Sequence, residues 1–427
     1  MGKQAPRILR GAFSFINSLV FFCLIFGIKI GLAYNVPSLN YFFMATPKKN
    51  YSKRALALHK KLKGKLETKL KHPLKNKEDW SMMYTPGVGA VASHVAQKPG
   101  EIGLYTSKGN SVAVISDGSS VLGLGNIGPY GALPVMEGKA AILKSVANID
   151  SWPIVLGTQD VDEIVAAVKA IAPTFGAINL EDFSAPRCFE IERRLKEELD
   201  IPVMHDDQHG TAIVVLAGLI NAYKLTKRSF KDSWIVIQGA GAAGVAIAKL
   251  IKLHAPEAHI IMLDSKGVIW TGRKDLSPYK KELVKEGIIF AEEGGDLLKA
   301  LCEADALIGV SGPGTISRHH IEQMSKDSIV FALANPVPEI YPEDAKRAGA
   351  AVVASGRSDF PNQVNNSLVF PGIFRGALDK KVNSITDEMK LSAAKKLAAL
   401  VKKPTAGEII PHISNPKLVK TIASAVK

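Results

Sequence analysis

The chain has 427 residues, 47% of them hydrophobic and 22% charged, with a formal net charge of +14. This is enough to bury a sizeable core, too long for one typical domain, and ordinary in charge density for a globular enzyme. Much of the excess positive charge lies between Lys48 and Lys77 with no interleaved aromatic platform, so no nucleic acid is expected as a partner.

Three scattered cysteines, Cys23, Cys188 and Cys302, make neither a disulfide framework nor a Cys-rich zinc site. Residues 1–43 carry Lys3, Arg7 and Arg10 ahead of an apolar stretch from Gly11 to Val36. Three readings are open: a signal peptide, a short membrane anchor, or a misassigned start. Met44 opens a conventional start for a soluble enzyme and nothing after it reads as secretory. The expectation is therefore a working unit that begins at Met44, in the cytoplasm, with no membrane partner.

Lys53 to Leu70 reads as an amphipathic helix with a basic face. From Ser111 strands and helices alternate. The strand SVAVIS leads through a Gly-rich loop to a helix from Lys139 to Val146, then a strand near Pro153–Leu156. A helix over Val161–Ile171, a strand at Ala177–Asn179, a helix over Pro186–Leu199 and a strand at Pro202–His205 follow. Such alternation predicts parallel βαβ units. Gly210–Leu225 is a long apolar helix spanning between domains. The strands WIVIQ, HIIMLD, ALIGV, SIVFALA and AVVAS make a second block, and the stretch from Asp387 is helical and folds back onto the first domain. The predicted fold is α/β in two domains, residues 44–210 and residues 211–427; the motifs below make the first a substrate and metal domain and the second a Rossmann-type NAD(P)-binding domain.

GxGxxG occurs twice, and alone the pattern is weak. After Gly123-Leu-Gly125-Asn-Ile-Gly128 come Pro129 and Pro134, so no helix is expected to continue from the last glycine. Gly239-Ala-Gly241-Ala242-Ala243-Gly244 directly follows WIVIQ and opens an apolar helix, and Asp264 ends the next strand where a ribose-binding acid belongs. The helix N-terminus would then face the pyrophosphate. Asp264 favours NAD by pairing with ribose hydroxyls, whereas Ser265 and Lys266 offer a 2′-phosphate a partner, so the choice between NAD and NADP stays open.

Glu181-Asp182 and Asp206-Asp207 each follow a strand. Paired carboxylates repel unless a cation neutralises them, and hard oxygen ligands without thiols suit Mg²⁺ or Mn²⁺. The same acids also fit helix N-capping. His205 and His209 are expected to pack or hydrogen-bond rather than ligate.

In order along the chain, YTPGV (Tyr84–Val88), SDGSSVLGLGNIGPYGALPVMEGKAAILK, NLEDF, HDDQHGTA, GAGAAG, DSKG, ALANP and NQVNNSLVFPG resemble the malic enzyme family, in its shorter bacterial-type branch. The resemblance implies oxidative decarboxylation of malate to pyruvate with NAD or NADP and Mg²⁺ or Mn²⁺, in a homodimer or higher oligomer. It implies Tyr84 as general acid, Lys139 as general base, and Glu181, Asp182 and Asp207 as metal ligands. It makes Asp206 the acid supporting the lysine, and Asn335 and Asn366 substrate- or nicotinamide-side residues. Ser119-Ser120 stands where larger relatives carry an arginine for a substrate carboxylate. A malolactic enzyme on the same scaffold and a non-catalytic nucleotide-binding protein are the alternatives.

Overall fold

The computed structural model describes residues 51–290 and 292–427; the expectations for residues 1–43 lie outside them. Contacts divide the chain at Lys63/Gly64 into two units. In the first, α1 (Tyr51–Leu62) buries no residue. It stops eight residues short of the predicted end because Lys63 and Gly64 take φ of +56° and +113°, the left-handed turn that terminates a helix.

Gly64–Lys427 is one compact unit holding two sheets. It begins with α2 (Lys77–Met83) and α3 (Gly87–Gln97). The first sheet comprises β1 (Ser111–Ser116), β2 (Asp150–Val155), β3 (Ala177–Leu180) and β4 (Val203–His205), in the order β2-β1-β3-β4 and all parallel. β1 and β3 are buried along their whole length, as expected of inner strands covered on both faces. Between the strands run α4 (Gly128–Ala147), α5 (Val161–Ile171) and α6 (Arg187–Glu198). Asp160 starts α5 by accepting hydrogen bonds from the amides of Asp162 and Glu163.

α4 departs from the sequence expectation. It starts at Gly128, the last glycine of the first loop, and runs through Pro134. Pro129 falls in the first turn, where no amide donor is needed. Pro134 forgoes one helix bond, but Ala132, Met136, Ala140, Leu143 and Ala147 form a buried stripe at helical spacing that holds the continuation together. Lys139 therefore sits mid-helix rather than at a helix start.

The long helix α7 (Asp206–Thr226) also begins earlier than predicted and takes Asp206 and Asp207 into its first turn. Fourteen of its 21 residues are buried, on every side, which makes it the shared core element between the sheets.

The second sheet comprises β5 (Trp234–Gln238), β6 (His259–Asp264), β7 (Gly267–Val268), β8 (Ala306–Gly309), β9 (Ile329–Ala332) and β10 (Val352–Ser355). Its order is β10-β9-β8-β5-β6-β7, parallel except for β7, which returns antiparallel on β6. Two residues give no period, so β7 left no trace in the sequence pattern. α8 (Ala242–His254) follows β5, and α9 (Pro278–Lys285) lies beyond β7.

The helix from Asp387 is present as expected, and a second element upstream of it also returns: α10 (Phe370–Lys380) packs on α4 and β3. α11 (Asp387–Ala399) packs on α7 and α8, and α12 (Leu418–Ala423) on α10. Among the described residues no helix is long and apolar enough to cross a membrane.

Asn221, fully buried on α7, donates from Nδ2 to the carbonyls of Ala398 at 2.8 Å and Ile409 at 2.9 Å, tying the C-terminal segment to the core. Asn221→Ala strands two buried acceptors and is expected to cost about 2–5 kcal/mol, read as a lower urea midpoint with unchanged slope.

Candidate active site

In each sheet the strand order reverses once, between β1 and β3 in the first and between β5 and β8 in the second. Loops leaving the C-terminal ends of such strands diverge and open a crevice. The loop after β1, Glu181-Asp182 after β3 and the start of α7 after β4 meet at the first reversal. The glycine loop after β5 stands at the second. Both border one cleft of about 450 Å³. Ser120, Leu122 and Gly123 enter it from one side, Gly241, Ala242 and Ala243 from the other, with Asn335 and Asn366 along the wall.

Lys139 reaches the floor from α4. Its ammonium donates to Asp206 Oδ2 at 2.6 Å and to Asn366 Oδ1 at 3.2 Å, and lies 2.9 Å from Glu181 Oε1. It also sits 4.7 Å above the Phe370 ring. Burial alone would push this lysine down, but Asp206, Glu181 and Asp207 outweigh it and hold the ammonium above its ordinary range. The protein's own charges thus act opposite to the lowering that a base requires.

Glu181, Asp182 and Asp207 present carboxylate oxygens within 4.8 Å of one another. Asp182 is not the helix cap that its position allowed: α6 starts after Pro186. Instead Asp182 sits at φ +58°, its amide donates to Asp207 Oδ2 at 2.8 Å, and its Oδ2 is buried without a hydrogen-bond partner. Burial and the Asp207 charge push Asp182 up to about 8 and raise Glu181 well above the usual carboxylate range. Asp207, half-buried, is held at about 2 by the imidazole of His205. A set of crowded oxygens, one of them buried and unpaired, with no sulfur, fits a hard divalent cation.

Sequence reasoning missed the support beneath this cluster. The Gln208 side-chain amide nitrogen lies 3.0 Å from both Glu192 Oε2 and His205 Nδ1. His205 Nε2 then faces Asp207 Oδ2 at 3.3 Å. His209 bonds Glu192 at 2.9 Å, so both histidines are engaged in hydrogen bonds. Glu192 gave no local signal; it lies on an ordinary charged helix. Asn179 donates to Glu181 Oε2 at 2.9 Å from inside β3.

Two predicted site residues are placed differently. Tyr84 is 62% exposed at the end of α2, flanked by exposed Trp80, Met82 and Met83, and does not line the cleft. Asp264 does stand beside the glycine loop, since the Gly239 amide donates to the neighbouring Leu263 carbonyl at 2.9 Å. Its carboxylate, however, is taken by Arg273 and Lys280. Asn335, joined to Pro336 by a cis peptide bond, and Asn366 both line the cleft. Among the described residues lining it, Lys139 is the one cation.

A doubly wound sheet with its glycine loop at the switch point, facing a lysine among carboxylates, defines a dinucleotide-dependent oxidoreductase. The comparisons narrow this. Residues 63–196 match the family model described as malic enzyme, N-terminal domain, and residues 208–427 that described as malic enzyme, NAD binding domain. The chain is 50% identical to the bifunctional malic/malolactic enzyme of Bacillus subtilis (strain 168) over 378 residues, 87% of this chain and 91% of that protein. It is 50% identical to the NAD-dependent malic enzyme of Geobacillus stearothermophilus over 381 residues, covering 88% of this chain and 78% of that one. The crystal structure of the NAD-dependent malic enzyme from Thermotoga maritima superposes with a TM-score of 0.84 at 47% identity, covering 87% of this chain and 98% of that one. The chain belongs to the malic enzyme family, whose relatives here are named both NAD- and NADP-dependent.

The glycines divide by what surrounds them. A Cβ on Gly244 would lie 1.8 Å from the Gly239 carbonyl oxygen, whereas one on Gly241 meets nothing within 4 Å. Gly244→Ala is therefore expected to lower the melting temperature. Gly241→Val should keep it and weaken NAD(P)H binding about tenfold or more in a fluorescence titration, because only the dinucleotide meets the new side chain.

Proposed function

We propose that this chain is a malic enzyme that oxidatively decarboxylates (S)-malate to pyruvate and CO₂, reducing NAD(P). One observation carries the reading. Lys139 and the oxygens of Glu181, Asp182 and Asp207 share one cleft with the glycine loop of a dinucleotide domain. Glu181, Asp182 and Asp207 would hold Mg²⁺ or Mn²⁺, which supplies Lewis acidity to a 2-hydroxy acid when bound.

Two of the three carboxylates that keep Lys139 protonated, Glu181 and Asp207, are proposed ligands. A cation held by these two carboxylates would offset their charge, and Lys139 would then be available as a base. Lys139 is placed to take the C2 hydroxyl proton, and a bound nicotinamide would supply the acceptor for the C2 hydride. Asp206 and Asn366 orient the lysine. The β-carboxylate departs as CO₂, its bonding electrons pass to C3, and Tyr84 returns a proton there. With no arginine lining the cleft among the described residues, Ser120 and Asn335 are the nearest candidates for the second carboxylate of malate.

Tyr84 needs a second copy to fill this role. The exposed apolar side chains around it suit burial against another chain, and the working unit is proposed as a homo-oligomer in which Tyr84 serves the neighbouring cleft. Its compartment is proposed as the cytoplasm, where its cofactor is available. The name of the Bacillus subtilis relative favours a second reading, conversion of malate to lactate without net cofactor reduction. An assay with malate and Mn²⁺ that measures pyruvate, lactate and reduced dinucleotide together separates the two. Pyruvate equal to reduced dinucleotide supports oxidative decarboxylation; absence of turnover with either dinucleotide removes it.

Asp207→Ala is expected to abolish both turnover and calorimetric Mn²⁺ binding while dinucleotide binding persists. Retained Mn²⁺ binding would remove the assigned ligand set. Lys139→Ala should reduce kcat at least about a hundredfold. Mixing Lys139→Ala with Tyr84→Phe chains should restore part of the activity, because a hybrid assembly holds one cleft with both groups intact. No recovery despite proven subunit exchange would place the acid elsewhere.

A further inference from the structure

Asp264 ends β6 beside the glycine loop, where an acid is expected to accept the adenosine ribose hydroxyls. Here its acceptor positions are filled from within the chain. Oδ1 accepts the Lys266 amide at 2.9 Å and Arg273 Nη1 at 2.8 Å. Oδ2 accepts Arg273 Nη2 at 3.0 Å and Lys280 Nζ at 2.6 Å. A carboxylate has about four lone-pair sites, and these four bonds use them.

The charge at this corner is also reversed from what the lone acid suggests. Asp264 and Asp275 stand against Arg273, Lys280 and Lys266, one positive charge in excess. Arg273 is spent on the two carboxylates, meeting Asp275 through Nε at 3.0 Å and Nη2 at 3.1 Å. Lys280 uses one of its three ammonium hydrogens on Asp264, and Lys266 uses one on Asp275 at 2.7 Å. Lys280 is carried by α9, which is pinned to the glycine loop where Tyr279 Oη donates to the Ala240 carbonyl at 3.1 Å.

We infer that this corner is built for a phosphomonoester on the ribose, and that the chain uses NADP⁺ at least as well as NAD⁺. The inference rests on the functional reading above and adds cofactor choice to it. Asp264 is occupied by Arg273 and Lys280 and so is withdrawn from the ribose. The spare hydrogens of Lys280 and Lys266 meet the 2′-phosphate, and Arg273 cancels the carboxylate charge that would otherwise repel it.

The test compares both dinucleotides in the same full-length protein, by fluorescence titration of NADPH and NADH and by kcat/KM for NADP⁺ and NAD⁺. A ratio taken within one variant is insensitive to partial loss of folded protein. Lys280→Met is expected to weaken NADPH about tenfold and NADH less than about threefold, the signature of a lost charged hydrogen bond to phosphate. Asp264→Asn frees Arg273 and should strengthen NADPH relative to NADH. The inference is overturned if the wild type prefers NAD⁺ by more than about tenfold, if Lys280→Met weakens both equally, or if Asp264→Asn costs NADH about tenfold, as a true ribose acceptor would. Binding of neither dinucleotide overturns it together with the functional reading.

Discussion

Four carboxylates, from Glu181, Asp182, Asp206 and Asp207, crowd around one buried ammonium. Their mutual repulsion is the constraint around which the first sheet is organised. Like charges at this spacing do not stay ionised in a buried site without compensation. Lys139 supplies one positive charge, the imidazole of His205 lies against Asp207, and the amide of Asp182 gives it a hydrogen bond. What remains uncompensated, including the unpaired Oδ2 of Asp182, is negative charge that a divalent cation would neutralise.

The surrounding architecture serves that constraint. α4 continues through Pro134, so that Lys139 arrives mid-helix. α7 starts directly from β4, which puts Asp206 and Asp207 at a helix N-terminus, the end whose dipole favours negative charge. Beneath it, Glu192 is buried yet held well below the ordinary carboxylate range by His209 and Lys196. That ionised carboxylate anchors Gln208 and the backbone of His205. An arrangement of this kind fixes the orientation of the Asp207 carboxylate through its outer partners. α10 completes the cleft by packing across α4 and β3 and laying Phe370 under the lysine.

The second sheet follows the same rule with opposite charge. At the end of β6 an acid, Asp264, is surrounded by cations, and at Lys139 a cation is surrounded by acids. In both places the residue singled out in the sequence is not free. Asp264 is engaged by Arg273 and Lys280, and Lys139 by Asp206 and Glu181. The ligands that each corner suits follow from the excess charge left after these internal pairs are made.

Much of the fold was legible in the sequence. β1, β5 and β6 are short apolar runs bounded by glycine or aspartate, and α5 has its cap and its 3.6-residue period within 12 residues, so local physics sufficed. The pairing of a strand, a glycine loop and an apolar helix located the second loop for the same reason. What only the tertiary structure decided involves partners far apart in the chain. Asn366 reaches Lys139 across 227 residues, and Asn221 ties α7 to the Ala398 carbonyl across 177. No period or motif encodes such contacts. The course of α4 through Pro134 was decided by a buried stripe that outweighs one lost hydrogen bond, and a local rule about proline sees only the loss. Tyr84 has its motif intact, yet it lies on the surface of the single chain. Sequence fixes which chemical groups are present and what local geometry they prefer; burial and long-range charge pairing decide which of them meet.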